Sequence, residues 1–186
     1  VVIRVTESEL HSVWIAAMDS VRKRVIAELD DVFGFNWSED GEGVLYSSAV
    51  VDTQNNRNIN RVHRFDWQSE VNHTLYVYPD NAVFIGVSPA PKGGCFLGVK
   101  VNYGDTLMLY LNSEGKATRL SSGKGFFEYI GEKNGRCYFS TDENAPMGHV
   151  LSIAAEDVER EAGSAEPAGA ERGVDGRRRV RRAAGR

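Results

Sequence analysis

From Leu10 onward, apolar residues recur at steps of three and four: Leu10, Trp14, Ala17, Val21, Val25, Leu29 and Val32. Arg22, Lys23, Arg24 and Glu28 fall mostly off that stripe, which is the pattern of an amphipathic helix. Thr6 with Glu9 three residues later is a capping-box pair, in which hydroxyl and carboxylate satisfy backbone N–H groups of the first turn. Gly34 supplies the stop. The pattern predicts one long helix over 6–32, its apolar side broadened by Val13, Ile15, Met18 and Ile26.

After Phe35 the period changes to two, with turn residues every eight to twelve positions. Strands are expected at 43–52, 60–67, 72–78, 83–88, 95–102, 106–111, 116–120, 126–130 and 136–140, with a further short helix near 150–161. Asp80-Asn81 and Asn134-Gly135 are pairs that tolerate the positive φ of tight hairpin turns. Parallel crossovers need a dozen or more residues, so neighbouring strands are expected to pair antiparallel. The expected fold is α+β: one long N-terminal helix packed on a strongly curved antiparallel β meander, barrel-like or two-layer.

Charge changes the picture at the C-terminus. Of the 22 Lys and Arg and 26 Asp and Glu in 186 residues, 14 basic and 19 acidic side chains fall in residues 1–155, leaving 8 and 7 in 156–186. That last segment has no aromatic residue and ends on Arg177, Arg178, Arg179, Arg181, Arg182 and Arg186. It cannot bury enough apolar surface to offset its ordering entropy, so residues 1–155 read as a helix-plus-sheet domain and 156–186 as a charged flexible tail. The arginines suit a basic arm for phosphates, whereas the bland alternative is a solvated tail whose acidic residues fold back on them.

Familiar chemical signatures are missing. Gly123-Lys124-Gly125 lacks the leading glycine and trailing Ser or Thr of a phosphate loop, and no Gly-x-Ser-x-Gly elbow, His-Glu-x-x-His helix or calcium loop occurs. Asn36-Trp37-Ser38 and Asn72-His73-Thr74 match the glycosylation sequon at about the frequency that chance supplies. Cys95 and Cys137 sit in apolar stretches and read as small buried hydrophobes, with a single disulfide as the alternative. His11 and His149 do not complete a three-ligand set, so no metal and no cofactor are expected. No apolar run reaches the ~20 residues of a membrane span and no leader pattern opens the chain, which favours a soluble, cytoplasmic reading.

Residues 53–78 carry the most chemistry. Arg57, Arg61 and Arg64 are the only formal charges between 53 and 65. With Ser69-Glu70 as the hairpin turn, Asp66 would face His73, His63 would face Tyr76, and Arg61 would face Tyr78. One face would then carry Arg61, His63, Phe65, Trp67, Thr74, Tyr76 and Tyr78, a platform on which rings stack and arginines meet anions. The competing reading is ordinary core packing, since aromatic faces flanked by aliphatics are usually buried. Asp66 and His73 are weak candidates for an acid–base dyad and otherwise make a cross-strand polar contact.

The function expected from these features is a non-enzymatic binding or assembly module that recognises a protein partner or forms an oligomer. Two alternatives stand beside it. One is a nucleic-acid-binding protein that uses the arm (Arg177, Arg178, Arg179, Arg181, Arg182) and the Arg57–Arg64 patch. The other is a small-ligand barrel or an enzyme lined by His63, Trp67, Tyr76 and Tyr78.

Overall fold

A computed structural model of the chain describes residues 2–7, 10–16, 23–29, 31–145 and 147–164. They form four successive antiparallel meanders. The first comprises β1 (Val2–Glu7), β2 (Leu10–Ala16) and β3 (Lys23–Leu29). The second comprises β4 (Asp31–Trp37), β5 (Gly43–Asp52), β6 (Arg57–Asp66) and β7 (Asn72–Val77). The third comprises β8 (Phe84–Pro89), β9 (Cys95–Lys100), β10 (Thr106–Leu111) and β11 (Ala117–Arg119). The fourth comprises β12 (Phe127–Lys133), β13 (Arg136–Thr141) and β14 (His149–Ala154), followed by α1 (Ala155–Ser164).

The long N-terminal helix is overturned. Residues 2–7, 10–16 and 23–29 pair as two antiparallel hairpins, His11 opposite Leu29 and Val13 opposite Ala27. The apolar residues there are mostly β-branched or aromatic (Val2, Ile3, Val5, Val13, Trp14, Ile15, Val25, Ile26), and such side chains lose rotamer freedom in a helix but pack well on a pleated surface. Spacing alone fitted both periods, and a bulge at Ile26 of β3, opposite Val13 and Trp14, blurs the strand alternation further.

The barrel-like or two-layer meander is overturned as well. β7 and β8 do not pair; the chain leaves β7 at the outer edge of the second sheet and returns so that β8 packs across β4 and β5. Asp80 and Asn81 therefore lie in a link between sheets and not in a hairpin turn. The link is stitched to β6: Asn58 Nδ2 and Asn60 Nδ2 donate to the Ala82 carbonyl at 3.1 and 3.0 Å, and Asn81 Oδ1 accepts from the Asn58 N–H. The result is a set of open antiparallel sheets in which the second packs on the third and the third on the fourth. Among the described residues no sheet closes into a barrel.

The reason lies in the third sheet, which is apolar on both faces. Cys95, Leu97, Val99, Leu109 and Leu111 pack on Leu45 and Val62 of the second sheet, together with Ile85 and Val87. Phe96, Met108 and Tyr110 point the other way, onto Phe127, Cys137 and Phe139 of the fourth. A barrel wall would leave one of those faces to water, whereas a stack buries both, each large side chain contributing roughly 2 kcal/mol. A third cluster, Val32, Val44, Tyr46 and Phe65, occupies the opposite face of the second sheet.

α1 starts at Ala155, the last residue read as domain, runs to Ser164 within the segment read as tail, and buries Val158 against the fourth sheet's core. The tail beyond it and its arginines lie outside the described residues. Among the described residues no helix is long and apolar enough to cross a membrane.

Candidate binding site

β6 and β7 form the expected hairpin in a different register. His63 faces Thr74 and Arg64 faces His73, but beyond a bulge at Leu75 the pairs are Val62 with Tyr76 and Arg61 with Val77. Asp66 does not face His73; it closes the turn, its Oδ1 accepting from the Ser69 N–H and hydroxyl at 2.7 Å each, which lowers its pKa. No acid–base dyad forms there. The extra residue in β7 also turns Tyr76 to the face opposite His63. Tyr76 and Tyr78 join the core shared with the third sheet, and Trp67 packs on the Tyr46–Phe65 cluster. The aromatic platform is thus divided between two cores.

The cationic patch is similarly divided. Along β6, Arg57 and Arg61 belong to one face and Arg64 to the other. Arg57 pairs with Asp52 at 3.6 Å, and the Arg64 guanidinium donates to Asp40 Oδ2 at 2.7 Å. That pair lies at a cleft of about 320 Å³ between the second and third sheets, which Cys95 also lines. Ser38 and the Glu42 N–H, ahead of Arg64, hold the Asp40 carboxyl below its usual range.

His63 sits in a buried network. Its Nε2 lies 2.9 Å from Ser48 Oγ, its Nδ1 3.3 Å from Thr74 Oγ1, and its ring stacks on Tyr46 at 4.8 Å. Asn72 Nδ2 donates to the Tyr46 hydroxyl at 2.6 Å. Burial, reinforced by the charge of Arg61, pushes the His63 pKa down to about 4, so the ring is neutral at pH 7. A serine beside a histidine resembles a nucleophile and its base, but Ser48 is 2 % exposed and the third partner is a hydroxyl, not a carboxylate. The network ties β5, β6 and β7 together. Cys95 and Cys137 are free, buried thiols, and among the described residues no three His, Cys, Asp or Glu side chains converge as metal ligands.

The cavity that sequence reading missed lies between the second, third and fourth sheets. It has a volume of about 380 Å³ and is lined by β4, β8, β9, β10 and β12. Its floor is Gly86 and Gly98, which face each other across β8 and β9. Phe84 and Phe96 form walls from the same sheet, and Phe126 and Tyr129 cover it from the fourth. Phe96 is only 1 % exposed, with Tyr129 at 4.5 Å and Phe139 edge-on at 5.2 Å fixing its ring. Lys100 and Glu128 mark the polar margin; Lys100 Nζ donates to Thr106 Oγ1 at 3.3 Å. Desolvation pushes the Tyr129 hydroxyl up to about 12, so it stays protonated at neutral pH. The available signal was two glycines inside strands, but their opposition appears only once register is known.

No protein-family model matches the chain, and no curated protein matches it. Among solved structures it is similar to a prolyl endopeptidase from a study of inter-domain dynamics in catalysis and specificity. The identity is 11 % and the TM-score 0.44, over 78 % of this chain and 32 % of that one. The chain therefore spans about a third of that protein's length.

Proposed function

We propose that the chain is a protein-binding and assembly module that receives an extended segment of another chain, a second copy included, along β14. The observation that carries this reading is the character of that strand. His149–Ala154 contains no Asp, Glu, Lys, Arg or Pro, and it exposes Val150 at 61 % and Leu151 at 40 %. The second and third sheets carry a fourth strand beyond the equivalent position; among the described residues the fourth sheet ends at β14. An edge strand of this composition offers backbone N–H and C=O groups to an added strand and side-chain contacts on both of its faces, although the Arg136 guanidinium of β13 already donates to the Ser152 carbonyl at 3.0 Å and to its hydroxyl at 2.8 Å.

The test is sedimentation velocity over a concentration series on the full chain and on Val150→Lys/Leu151→Lys. Association by the wild-type chain that the double variant loses, with unchanged circular dichroism, supports the reading. A wild-type chain that stays monomeric throughout removes the self-assembly form, and equal association by both proteins overturns the role of β14.

A further inference from the structure

Glycine inside a strand weakens it, and its usual justifications are a bulge, a bend, or the close approach of a backbone or ligand. Gly34 of β4 has such a reason: a Cβ built there would stand 3.2 Å from the Gly86 Cα, so the two backbones nearly touch, whereas a Cβ on Gly86 itself would meet only the Gly98 carbonyl oxygen, at an ordinary 3.8 Å. Gly98 has none. Its pairings with Gly86 and with Met108 are in regular register, and a Cβ added there would meet only Thr106 Cγ2, at an ordinary 3.8 Å. The position accepts a side chain and lacks one.

The missing side chains shape the cavity. On the face turned to the fourth sheet, Phe84 and Lys100 form one cross-strand pair and Ser88 and Phe96 another. These rows stand four residues apart, roughly 13 Å along the strands. Between them Gly86 and Gly98 contribute no side chain, and Met108 closes the end of the row. Phe126 and Tyr129 lie above, so the slot is apolar and flat-walled, and its volume falls within the range of small-molecule sites.

Its margin carries charge. Lys100 is half-buried with a neutral hydroxyl as its hydrogen-bond partner. The Asp105 carboxylate feels the Lys100 charge but is held by Asn102 Nδ2 at 2.7 Å and the Gly125 N–H at 2.8 Å. Glu128 is exposed on the same rim, where water screens it. The geometry points to a binding site for an aryl carboxylate, its ring over the Gly86–Gly98 floor between Phe84 and Phe96 and its carboxylate at Lys100. This site is separate from β14 and stands or falls independently of the protein-binding reading.

The test uses 3-phenylpropionate and its uncharged analogue 3-phenylpropan-1-ol, titrated into the full chain by calorimetry. Saturable binding of the carboxylate is expected, at least about tenfold tighter than the alcohol, a ratio set by one charge-assisted contact. Gly98→Val fills the slot and abolishes binding while melting temperature and circular dichroism stay near wild type; Gly98→Ala, which fits without a clash, weakens it. Lys100→Met brings the carboxylate down to the level of the alcohol. Absence of saturable wild-type binding, or undiminished binding by a folded Gly98→Val chain, overturns the site. Equal binding of acid and alcohol overturns the role of Lys100 and the anionic class of ligand.

Discussion

Gly34 and Gly86 bring β4 and β8 so close that a Cβ on Gly34 would lie 3.2 Å from the Cα of Gly86 and from the Val87 nitrogen. Gly34 also has φ +49°, in the left-handed region. The second and third sheets are joined here along β4 and β8, with Phe33 stacked on Phe84 at 5.7 Å and Asn36 Nδ2 donating to the Val87 carbonyl at 2.7 Å. Gly34→Ala meets both a strained backbone and a backbone contact with no flexible end to move. A loss of about 1–3 kcal/mol is expected, read by urea unfolding, whereas Gly98→Ala should cost far less.

Ser47 acts at the same seam. Its hydroxyl is 1 % exposed and lies within hydrogen-bond reach of the Phe33 and Ile85 carbonyls, its one proton shared between them. Ser47→Ala leaves buried carbonyl groups without that donor, and a loss of about 1–3 kcal/mol follows. A denaturant midpoint indistinguishable from wild type would show that the seam does not depend on it.

His63 makes stability depend on pH. Its folded pKa, about 4, lies below the ordinary value of 6.5, so the unfolded chain binds the proton more tightly. This contribution is fully present above about pH 6.5, falls as pH drops toward 4, and levels off below that. The total is about 3 kcal/mol. His63→Gln should flatten this part of the stability–pH curve, and a curve of unchanged slope in the variant would assign the dependence to other groups.

The thiols should be unreactive in the folded chain. Burial pushes Cys95 up to about 12 and Cys137 up to about 11, the latter helped by the nearby Glu132 charge. Alkylation by iodoacetamide at pH 8 is expected to run at least ~100-fold slower than in denaturant, because the thiolate is the nucleophile. Mass spectrometry after timed quenching measures it; rapid native labelling of either residue would mean that its surroundings open readily.

Much of the β structure was readable. Gly43–Asp52 and Thr106–Leu111 fall where alternation and turn residues place them, and Asn134 and Gly135 take the positive φ their hairpin requires, +53° and +70°. β4 was hidden because Val32 and Gly34 also suit a helix end. The stack was hidden by treating every neighbour as a hairpin partner, although Leu107–Met108–Leu109–Tyr110–Leu111, apolar at every position, already marks a strand covered on both sides. The candidate platform failed on one residue: the bulge at Leu75 reverses the facing of Tyr76, and bulges leave no compositional trace that alternation can detect. The cavity required a cross-strand pairing of glycines, a property of the register and not of either residue.

The order of the sheets also shapes how damage spreads and how the fold assembles. Among the described residues each strand pairs only with its neighbours in the chain, so backbone contacts within a sheet are local and cheap in loop-closure entropy, and the long-range terms are the faces between consecutive sheets. Such a molecule approaches a one-dimensional array whose stability sums over units and their interfaces. The third sheet belongs to two interfaces and the fourth, among the described residues, to one. A lesion in β13 can therefore stay confined to one end, whereas a lesion in β9 uncouples the units on both sides. β9 and β10 should form the slowest-exchanging amide core, the segment on which assembly of the rest depends.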